Sequence, residues 1–159
     1  MQTDRKTRLI VRYVSLFIVI VICIVIFILS NQNGTESSSL SEKTLETIVD
    51  ETKKNDADFM INWGVWIRKI AHVLEYFVLG IFLDIFFLSF DKNVYISSGI
   101  AALSGIIYAA SDEIHQSFVP GRVGTIKDVL IDSSGVLIAC FAVTIIYIVI
   151  KNNKLKLKS

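Results

Sequence analysis

The chain alternates long apolar runs with short polar segments, and four of the runs are long enough to cross a membrane. They cover residues 13–29, residues 67 or 70 to 90, residues 94–110 and residues 129–150. A hydrocarbon core of about 30 Å requires about 20 predominantly apolar residues in a helix. The pattern therefore predicts an all-α fold: a polytopic membrane protein built as a bundle of four transmembrane helices.

The first run is predicted to remain on the protein as a signal anchor. Four basic residues precede it, as they would in a cleaved signal peptide. The sequence that leaves the run, Leu29-Ser30-Asn31-Gln32, has no pair of small residues spaced for cleavage. An uncleaved first helix therefore fits better than a removed leader.

The second and third runs differ in character. His72, Glu75 and Asp84 interrupt the second run. Asp84 stands alone toward the inner leaflet and is expected to pair locally or to reach the interface. The third run is rich in Gly, Ala and Ser, which let transmembrane helices approach closely. We therefore expect the third run to form the packed central helix.

The polar segment between the first two runs is predicted to lie on the membrane surface. Leu45, Ile48 and Val49 are spaced as the apolar face of a short amphipathic helix. Trp63 and Trp66 stand where an aromatic belt anchors a span. The predicted organisation is a basic N-terminus with the first helix (1–30), an acidic segment (31–65), a three-helix membrane domain (66–150) and a basic tail (151–159).

The composition agrees with a membrane protein and excludes other classes. The chain of 159 residues is 53% hydrophobic and 19% charged, whereas soluble domains have about 45–50% apolar and about 25% charged residues. Cys23 and Cys140 lie in apolar runs and do not form a disulfide framework. The net charge of +1 gives no reason to expect nucleic-acid binding.

The distribution of charge orients the spans. The N-terminal tail has four basic residues against Asp4, and four lysines with no acid follow the fourth run. An even number of spans places both tails on one side, and basic tails favour the cytoplasm. The segment 30–62 on the opposite side carries seven acidic and three basic residues, a net charge of −4. We therefore predict a multi-pass protein of the cell membrane with both termini cytoplasmic and the short turn at 90–93 on the same side.

Three clusters of polar residues fall at the outer ends of the predicted spans. The first places Lys69, His72, Glu75 and Tyr76 on one broad arc of the second helix. Glu75 lies about 10 Å below the outer end of that span, where a lone carboxylate must be protonated or find a cation. An ionisable residue at this depth indicates a functional site by default.

The second cluster closes the third run. Asp112, Glu113 and Gln116 are helical neighbours there. Two adjacent carboxylates beside an apolar helix repel each other. One of them is therefore expected to hold a proton or a cation.

The third cluster opens the fourth helix. Pro120-Gly121 predicts a turn, and Arg122 follows it with a guanidinium suited to bind a carboxylate or phosphate in bidentate fashion. Thr125 and Asp128 have the spacing of a capping box.

Each cluster also has a purely structural interpretation. Salt bridges between helices would explain the charged residues, and a helix cap alone would explain Thr125 and Asp128. We expect no cofactor and no metal. The alternative is a Zn²⁺ or Mn²⁺ site with mixed nitrogen and oxygen ligands, drawn from His72, Glu75, Asp112, Glu113 and His115.

The same residues carry a family resemblance. Lys69, His72, Glu75 and Tyr76 resemble the K-x-x-H-x-x-E-Y signature of the VanZ-like family. The stretch 112–122, followed by Asp128, resembles its second signature, D-E-x-x-Q-x-F-x-P-x-R…D. The resemblance covers about residues 66–139. It implies a small multi-spanning membrane protein of a family named for a member that lowers susceptibility to the glycopeptide teicoplanin, with no reaction firmly attached.

The resemblance and the residue pattern together define a candidate polar cluster at the outer face. Its members are Lys69, His72, Glu75, Tyr76, Asp112, Glu113, Gln116, Arg122 and Asp128. The resemblance assigns them no individual roles.

Two functions are considered for this cluster. In the first, a bacterial envelope protein without catalytic activity binds a lipid-linked cell-wall precursor or another anionic head group, and so lowers susceptibility to teicoplanin. In the second, a membrane-embedded phosphatase or transferase acts on a phospholipid or polyprenyl phosphate. His72 would then be its base or nucleophile, Glu75 or Asp112 would orient it, and Arg122 would bind the phosphate. No local catalytic signature is present, so no reaction is assigned.

The expected partner in both cases is the lipid bilayer, and the oligomeric state stays open. A transporter is a weaker alternative, because the four spans show no inverted-repeat halves. A transporter of this size would need to oligomerise.

Overall fold

A computed structural model of the chain describes residues 2–32 and 57–156, together with residues 39, 41, 43–45, 47 and 49 of the segment between them. Four helices account for most of these residues: α1 (Gln2–Ser30), α2 (Ala57–Leu88), α3 (Val94–Gln116) and α4 (Ile126–Lys156). The part of the chain that the structure describes contains no strand. The predicted all-α class is confirmed.

All four helices are long and apolar enough to cross a membrane. The candidate spans are Arg5–Ser30, Trp63–Leu88, Val94–Gln116 and Ile126–Asn153. Large apolar side chains such as Phe17, Leu103 and Phe141 are exposed on the outside of the bundle. In an aqueous protein such a surface would aggregate, whereas in a bilayer it is covered by lipid. The four predicted spans are therefore confirmed.

The third span is longer than the apolar run alone predicted. Helix α3 continues past residue 110 to Gln116. Asp112, Glu113 and Gln116 in this last turn are buried, since the neighbouring helices and the following loop give them polar partners. A hydropathy pattern stops at the first acidic residue, but the helix does not.

The helices run alternately up and down, so the bundle has two distinct ends. The termini end carries the start of α1, the α2–α3 turn and the end of α4. There Arg8 pairs with Asp91, and Arg12 donates a hydrogen bond to the main-chain oxygen of Ser89 at 3.0 Å. The opposite end, called the site end below, carries Ser30, Trp63, Gln116 and Ile126. Both helix ends that lead to the termini therefore lie on one side of the bundle.

The α2–α3 connection is the tight turn that the sequence predicts. Asp91 adopts a positive φ of 56°, which an aspartate tolerates better than most residues. Asn93 then caps α3, because its side-chain oxygen accepts a hydrogen bond from the Tyr95 amide at 2.9 Å. The chain therefore reverses direction within a few residues.

Helix α2, and not α3, occupies the centre of the bundle. It packs against α1, α3 and α4, and its contact with α4 is the most extensive of all. The small residues of α3 form one buried stripe that includes Ser97, Ala101 and Gly105, while Ile100 and Ile107 on its opposite face are exposed. The expectation that the third run is the central helix is wrong, since a small-residue stripe buries one face only.

Glycines allow α4 to approach its two neighbours closely. A Cβ atom on Gly135 would collide with the main-chain oxygen of Val73 in α2. A Cβ on Gly105 of α3 would lie 2.5 Å from Val136 Cγ1 of α4. Tyr76 and Val136 are fully buried in the core that results. Close backbone approach of this kind is a common source of stability between transmembrane helices.

The predicted amphipathic helix lies mostly outside the described residues. Ile48 and the acidic residues of its polar face are not among them. Leu45 is buried, and the Val49 amide donates to the Leu45 main-chain oxygen at 2.9 Å. Trp66, predicted to lie in the aromatic belt, is exposed near the site end.

Candidate functional site

The loop between α3 and α4 shapes the site end of the bundle. The Arg122 amide donates to the Val119 main-chain oxygen at 3.1 Å, and Gly121 between them has φ 76°. This is the geometry of a type II turn with proline in its second position and glycine in its third. A Cβ on Gly124 would lie 2.6 Å from the Glu113 main-chain oxygen, so the loop packs directly on the last turn of α3. The predicted Pro120-Gly121 turn is confirmed.

The predicted cap of α4 is present, but the Thr125 amide binds Glu113 and not Asp128. The Asp128 amide donates to Thr125 Oγ1 at 3.1 Å, and Thr125 Oγ1 donates to Asp128 Oδ2 at 2.8 Å. In a capping box the acidic side chain would also accept the amide of the capping residue. Here the Thr125 amide donates instead to Glu113 Oε1 at 2.8 Å. The cap therefore joins the start of α4 to the end of α3.

A chain of hydrogen bonds connects α1, α3 and the loop. Ser30 Oγ donates to Asp112 Oδ2 at 2.8 Å, and Gln116 Nε2 donates to the same oxygen at 2.9 Å. Arg122 Nη1 donates to Gln116 Oε1 at 2.9 Å, and Arg122 Nη2 donates to the Leu29 main-chain oxygen at 3.2 Å. Three of the predicted site residues, Asp112, Gln116 and Arg122, therefore form one network.

Sequence reasoning missed Ser30. It is fully buried and is the last residue of α1. The only feature of the sequence that could have indicated its role is its position, since Ser30 is a small polar residue at the outer end of the first span and Asp112 lies at the outer end of the third. Its partner lies 82 positions away in the chain.

A half-exposed ion pair joins α2 to α4. Lys69 Nζ lies 2.8 Å from Asp128 Oδ1, and about a third of each side chain is exposed (32% and 31%). Both residues belong to the predicted cluster. At this exposure the pair contributes at most about 1 kcal/mol to stability, so it serves mainly to neutralise Asp128.

His72 and Glu75 lie together on the inner face of α2. His72 Nδ1 and Glu75 Oε2 are 3.7 Å apart, which is too long for a hydrogen bond. Both atoms are buried and have no hydrogen-bond partner among the described residues. The imidazole and the carboxyl group are therefore adjacent, but these two atoms form no hydrogen bond with each other or with any other described residue.

Tyr76 and Asp132 are among the most deeply buried polar residues at the site end. Tyr76 is fully buried, its ring centroid is 6.2 Å from that of Tyr108, and its hydroxyl has no hydrogen-bond partner among the described residues. Asp132, one helical turn after Asp128, is 3% exposed. It was not in the predicted cluster, although its i, i+4 relation to Asp128 was visible in the sequence.

Two neighbouring polar cavities open among these residues. The larger, about 250 Å³, is called the polar cavity here; its charged and polar walls come from Arg68, Lys69, His72, Glu113, Gln116, Arg122, Asp128 and Asp132. The smaller, about 140 Å³, lies between α1 and α2. Arg68, His72 and Arg122 border both, and Glu75 borders the smaller one. Tyr76 and Asp112 line neither cavity.

Arg122 carries its charge in an unusual setting. No carboxylate lies within ion-pair distance of it in the part of the chain that the structure describes. Burial lowers the pKa of Arg122, and the positive charge of Arg68 lowers this pKa further, while Asp112 and Glu113 act in the opposite direction. A guanidinium stays protonated under such conditions. The group is thus a fixed positive charge with neutral hydrogen-bond partners.

The residues of the metal alternative do not assemble. The described residues contain no group of three or more His, Cys, Asp or Glu side chains that could hold a metal ion. His115 stacks against Phe27 of α1 with ring centroids 4.8 Å apart. Asp112 and Glu113 are bound by Ser30 and by the Thr125 amide. Those five side chains therefore do not come together as one ligand group among the described residues.

Comparison with known proteins agrees with the residue pattern. Neither the curated proteins nor the solved structures contain a match to the chain. The sequence does match the description VanZ/LLP1 over residues 15–149, which is nearly its whole length. With four apolar helices and the two signature segments meeting at one end of the bundle, the chain belongs to the VanZ/LLP1 family.

Proposed function

We propose that this protein binds the phosphate of a lipid-linked envelope precursor, or a similar anionic head group, in the polar cavity. In this proposal the site end faces the outside of the cell membrane, and occupancy of the cavity alters how glycopeptides such as teicoplanin reach their lipid-linked target. The observation that carries the proposal is the state of Arg122: a half-buried cation whose hydrogen bonds go to neutral oxygens.

The two guanidinium groups of the cavity wall have no carboxylate partner at ion-pair distance among the described residues. The wall carries three cationic side chains (Arg68, Lys69 and Arg122) and three carboxylates (Glu113, Asp128 and Asp132), so its formal charges balance. Lys69 pairs with Asp128, and Glu113 accepts the Thr125 amide. Guanidinium groups bind phosphate oxygens with good geometry. A phosphate would therefore give Arg122 the charged partner that the described chain does not supply.

The surroundings suit a ligand with a hydrocarbon tail. Val123 lines the cavity and is 82% exposed. Ile126 and Leu130 at the start of α4 are exposed as well. The volume of about 250 Å³ corresponds to about eight water molecules, enough for a phosphate but not for a prenyl chain. The head group would enter the cavity while the tail stays in the bilayer.

A matched pair of lipids tests the binding. The purified protein in neutral detergent is titrated with undecaprenyl phosphate and, separately, with undecaprenol, and bound lipid is counted by native mass spectrometry. We expect a preference for the phosphate that Arg122→Gln reduces about 10- to 100-fold, since a charge-assisted hydrogen bond contributes about 1.5–3 kcal/mol.

Lys127→Gln is the control for this experiment. Lys127 is exposed at the start of α4 and does not line the cavity, so its loss should leave the preference unchanged. Equal binding of both lipids by the native chain, or an undiminished preference in Arg122→Gln, would contradict the proposal.

Susceptibility to teicoplanin tests the envelope role in cells. Alanine variants at His72, Glu75, Asp112 and Arg122 are compared for membrane abundance and for teicoplanin susceptibility. Normal abundance with a lost phenotype supports a binding site. Loss of the protein from the membrane identifies a structural network instead.

A membrane-embedded phosphatase or transferase is the second candidate, and His72 with Glu75 favours it. Nδ1 of His72 faces Glu75 Oε2 at 3.7 Å on the wall shared with Arg122. Asp112 is held by Ser30 and Gln116, so Glu75 is the better placed residue to orient the imidazole. Phosphate release from undecaprenyl pyrophosphate that disappears in His72→Ala would establish this activity. Absence of any His72-dependent turnover would exclude it for that substrate.

A further inference from the structure

A second buried polar cluster lies on the other side of the core from the polar cavity. Asp84 of α2 is fully buried and lies nine residues beyond Glu75, a distance of about 13 Å along the helix. Thr144 Oγ1 of α4 donates to Asp84 Oδ2 at 3.2 Å, and Ser98 Oγ of α3 lies 2.5 Å from Thr144 Oγ1. We call these three residues the Asp84 cluster.

The Asp84 carboxyl is poorly satisfied. Its Oδ1 atom is buried and has no hydrogen-bond partner among the described residues. No lysine, arginine or histidine of the described chain forms an ion pair with it. Of the two outcomes expected from the sequence, Asp84 pairs locally, with the Thr144 hydroxyl, and does not reach the interface.

The neighbouring helices offer no compensating charge. The nearby titratable group of α4 is the Cys140 thiol, whose Sγ lies 3.8 Å from the Gly80 main-chain oxygen. Arg12 of α1 is engaged at the termini end, with its guanidinium 3.8 Å above the Phe90 ring. Helix α3 contributes the hydroxyl of Ser98. An ionised carboxylate whose only neighbours are neutral hydroxyl groups is very costly inside a bilayer.

We propose that the Asp84 cluster is a binding site for one monovalent cation, either a proton or Na⁺. One carboxylate supplies the single negative charge that such a cation requires. The hydroxyl oxygens of Ser98 and Thr144 are neutral oxygen ligands, which hard cations such as Na⁺ bind. The unpartnered Oδ1 is the atom that carries the proton or coordinates Na⁺.

This site is independent of the anion binding proposed for the polar cavity. It uses none of the same residues, and it joins α2, α3 and α4 near the termini end. A cation that binds only the folded bundle stabilises it by mass action. The stability of the helix packing should therefore respond to pH or to Na⁺.

Labelling with dicyclohexylcarbodiimide tests the proposal. The reagent reacts with a protonated carboxyl: the acid proton passes to a carbodiimide nitrogen, the carboxylate oxygen adds to the central carbon, and rearrangement leaves a stable N-acylurea. The full chain in neutral detergent is labelled over a range of pH with choline, K⁺ or Na⁺ as the only added cation. Peptide mass spectrometry locates the label, and Asp84→Asn identifies the Asp84 signal.

The two cations give different results. If Na⁺ is the ligand, Na⁺ slows labelling of Asp84 while choline and K⁺ do not, and Thr144→Val raises the Na⁺ concentration for half protection at least tenfold. If the proton is the ligand, labelling falls as pH rises in every salt, and Thr144→Val shifts the midpoint pH. Ser104→Ala should change neither, since Ser104 Oγ bonds the Ile100 main-chain oxygen of its own helix at 2.8 Å.

Two outcomes would overturn the proposal. One is an Asp84 that is never labelled in choline at any pH. The other is labelling at a rate that depends neither on pH nor on Na⁺. Both are read from the native chain, so they do not depend on the folding of any variant.

Discussion

At the scale of single residues, Arg122 combines a structural role with an available charge. Its two terminal nitrogens tie the loop to α3 and α1 through Gln116 Oε1 and the Leu29 main-chain oxygen. Its Nε is buried and has no hydrogen-bond partner among the described residues. Because neither described partner is charged, the hydrogen bonds by which Arg122 holds the loop leave its positive charge without a counter-charge. Substitutions can therefore separate the hydrogen bonds from the charge.

Gln116→Ala tests the hydrogen bonds. Gln116 is buried and connects Asp112 to Arg122, so its removal leaves the buried Asp112 and the half-buried Arg122 each with one partner fewer. We expect a loss of about 1–3 kcal/mol in the free energy of unfolding, measured by denaturant or thermal unfolding in detergent.

Ser111→Ala is the matched control for Gln116→Ala. Ser111 is exposed near the same end of α3, and its hydroxyl donates to the Tyr108 main-chain oxygen of its own helix at 2.7 Å. Its substitution should change stability by less than about 0.5 kcal/mol. An equal effect of the two variants would show that the network does not stabilise the fold.

At the scale of helices, the close approach of α4 to α2 determines the shape of the site. The main chains of α2 and α4 come into close contact at Gly135, which lies about one helical turn after Asp132 in α4. Lys69 of α2 reaches Asp128 of α4 on the same side. If the helices were held further apart, the ion pair would open and the polar cavity would widen.

Gly135→Ala should separate these helices. The added Cβ would meet main-chain atoms of Val73 and Phe77, which cannot rotate away as a side chain would. We expect a loss of about 1–3 kcal/mol, as for other overpacked sites, together with weaker binding of undecaprenyl phosphate.

Gly99→Ala provides the comparison on α3. Nothing lies within 4 Å of a Cβ at this position. The higher helix propensity of alanine should then leave stability unchanged or raise it by up to about 1 kcal/mol. The prediction fails if Gly135→Ala is as stable as the native chain.

At the scale of the whole molecule, two ends of opposite character face the two sides of a membrane. The termini end carries Arg8, Arg12 and Lys151. The segment 30–62, which joins α1 to α2 in the sequence and lies mostly outside the described residues, has a net charge of −4. Basic residues near the ends of spans favour the cytoplasm, and this distribution of charge is what supports the proposed orientation.

Cysteine labelling in intact cells tests this orientation. Val123→Cys lies in the exposed loop at the site end, and Lys92→Cys lies in the exposed turn at the termini end. Both are introduced with Cys23→Ser and Cys140→Ala, which remove the two native thiols. A membrane-impermeant maleimide should label position 123 in intact cells and position 92 only after permeabilisation. The reverse pattern would place the polar cavity in the cytoplasm and contradict the proposed function.

The sequence by itself determined the features that depend on neighbouring residues. Four apolar runs predict four spans because hydrophobic length is a local property. The Pro120-Gly121 turn and the Thr125–Asp128 cap were predictable for the same reason, since their hydrogen bonds join residues at most three positions apart. The signature residues also indicated that one end of the bundle is polar.

Only the tertiary structure decided which residues meet. It made α2 the central helix, joined Ser30 to Asp112, turned His115 toward Phe27, and set Asp84 between Ser98 and Thr144. These contacts depend on how each helix is rotated about its axis. That rotation follows from the packing of glycine and small-residue faces. A hydropathy pattern gives little information about it when a helix is apolar on every side.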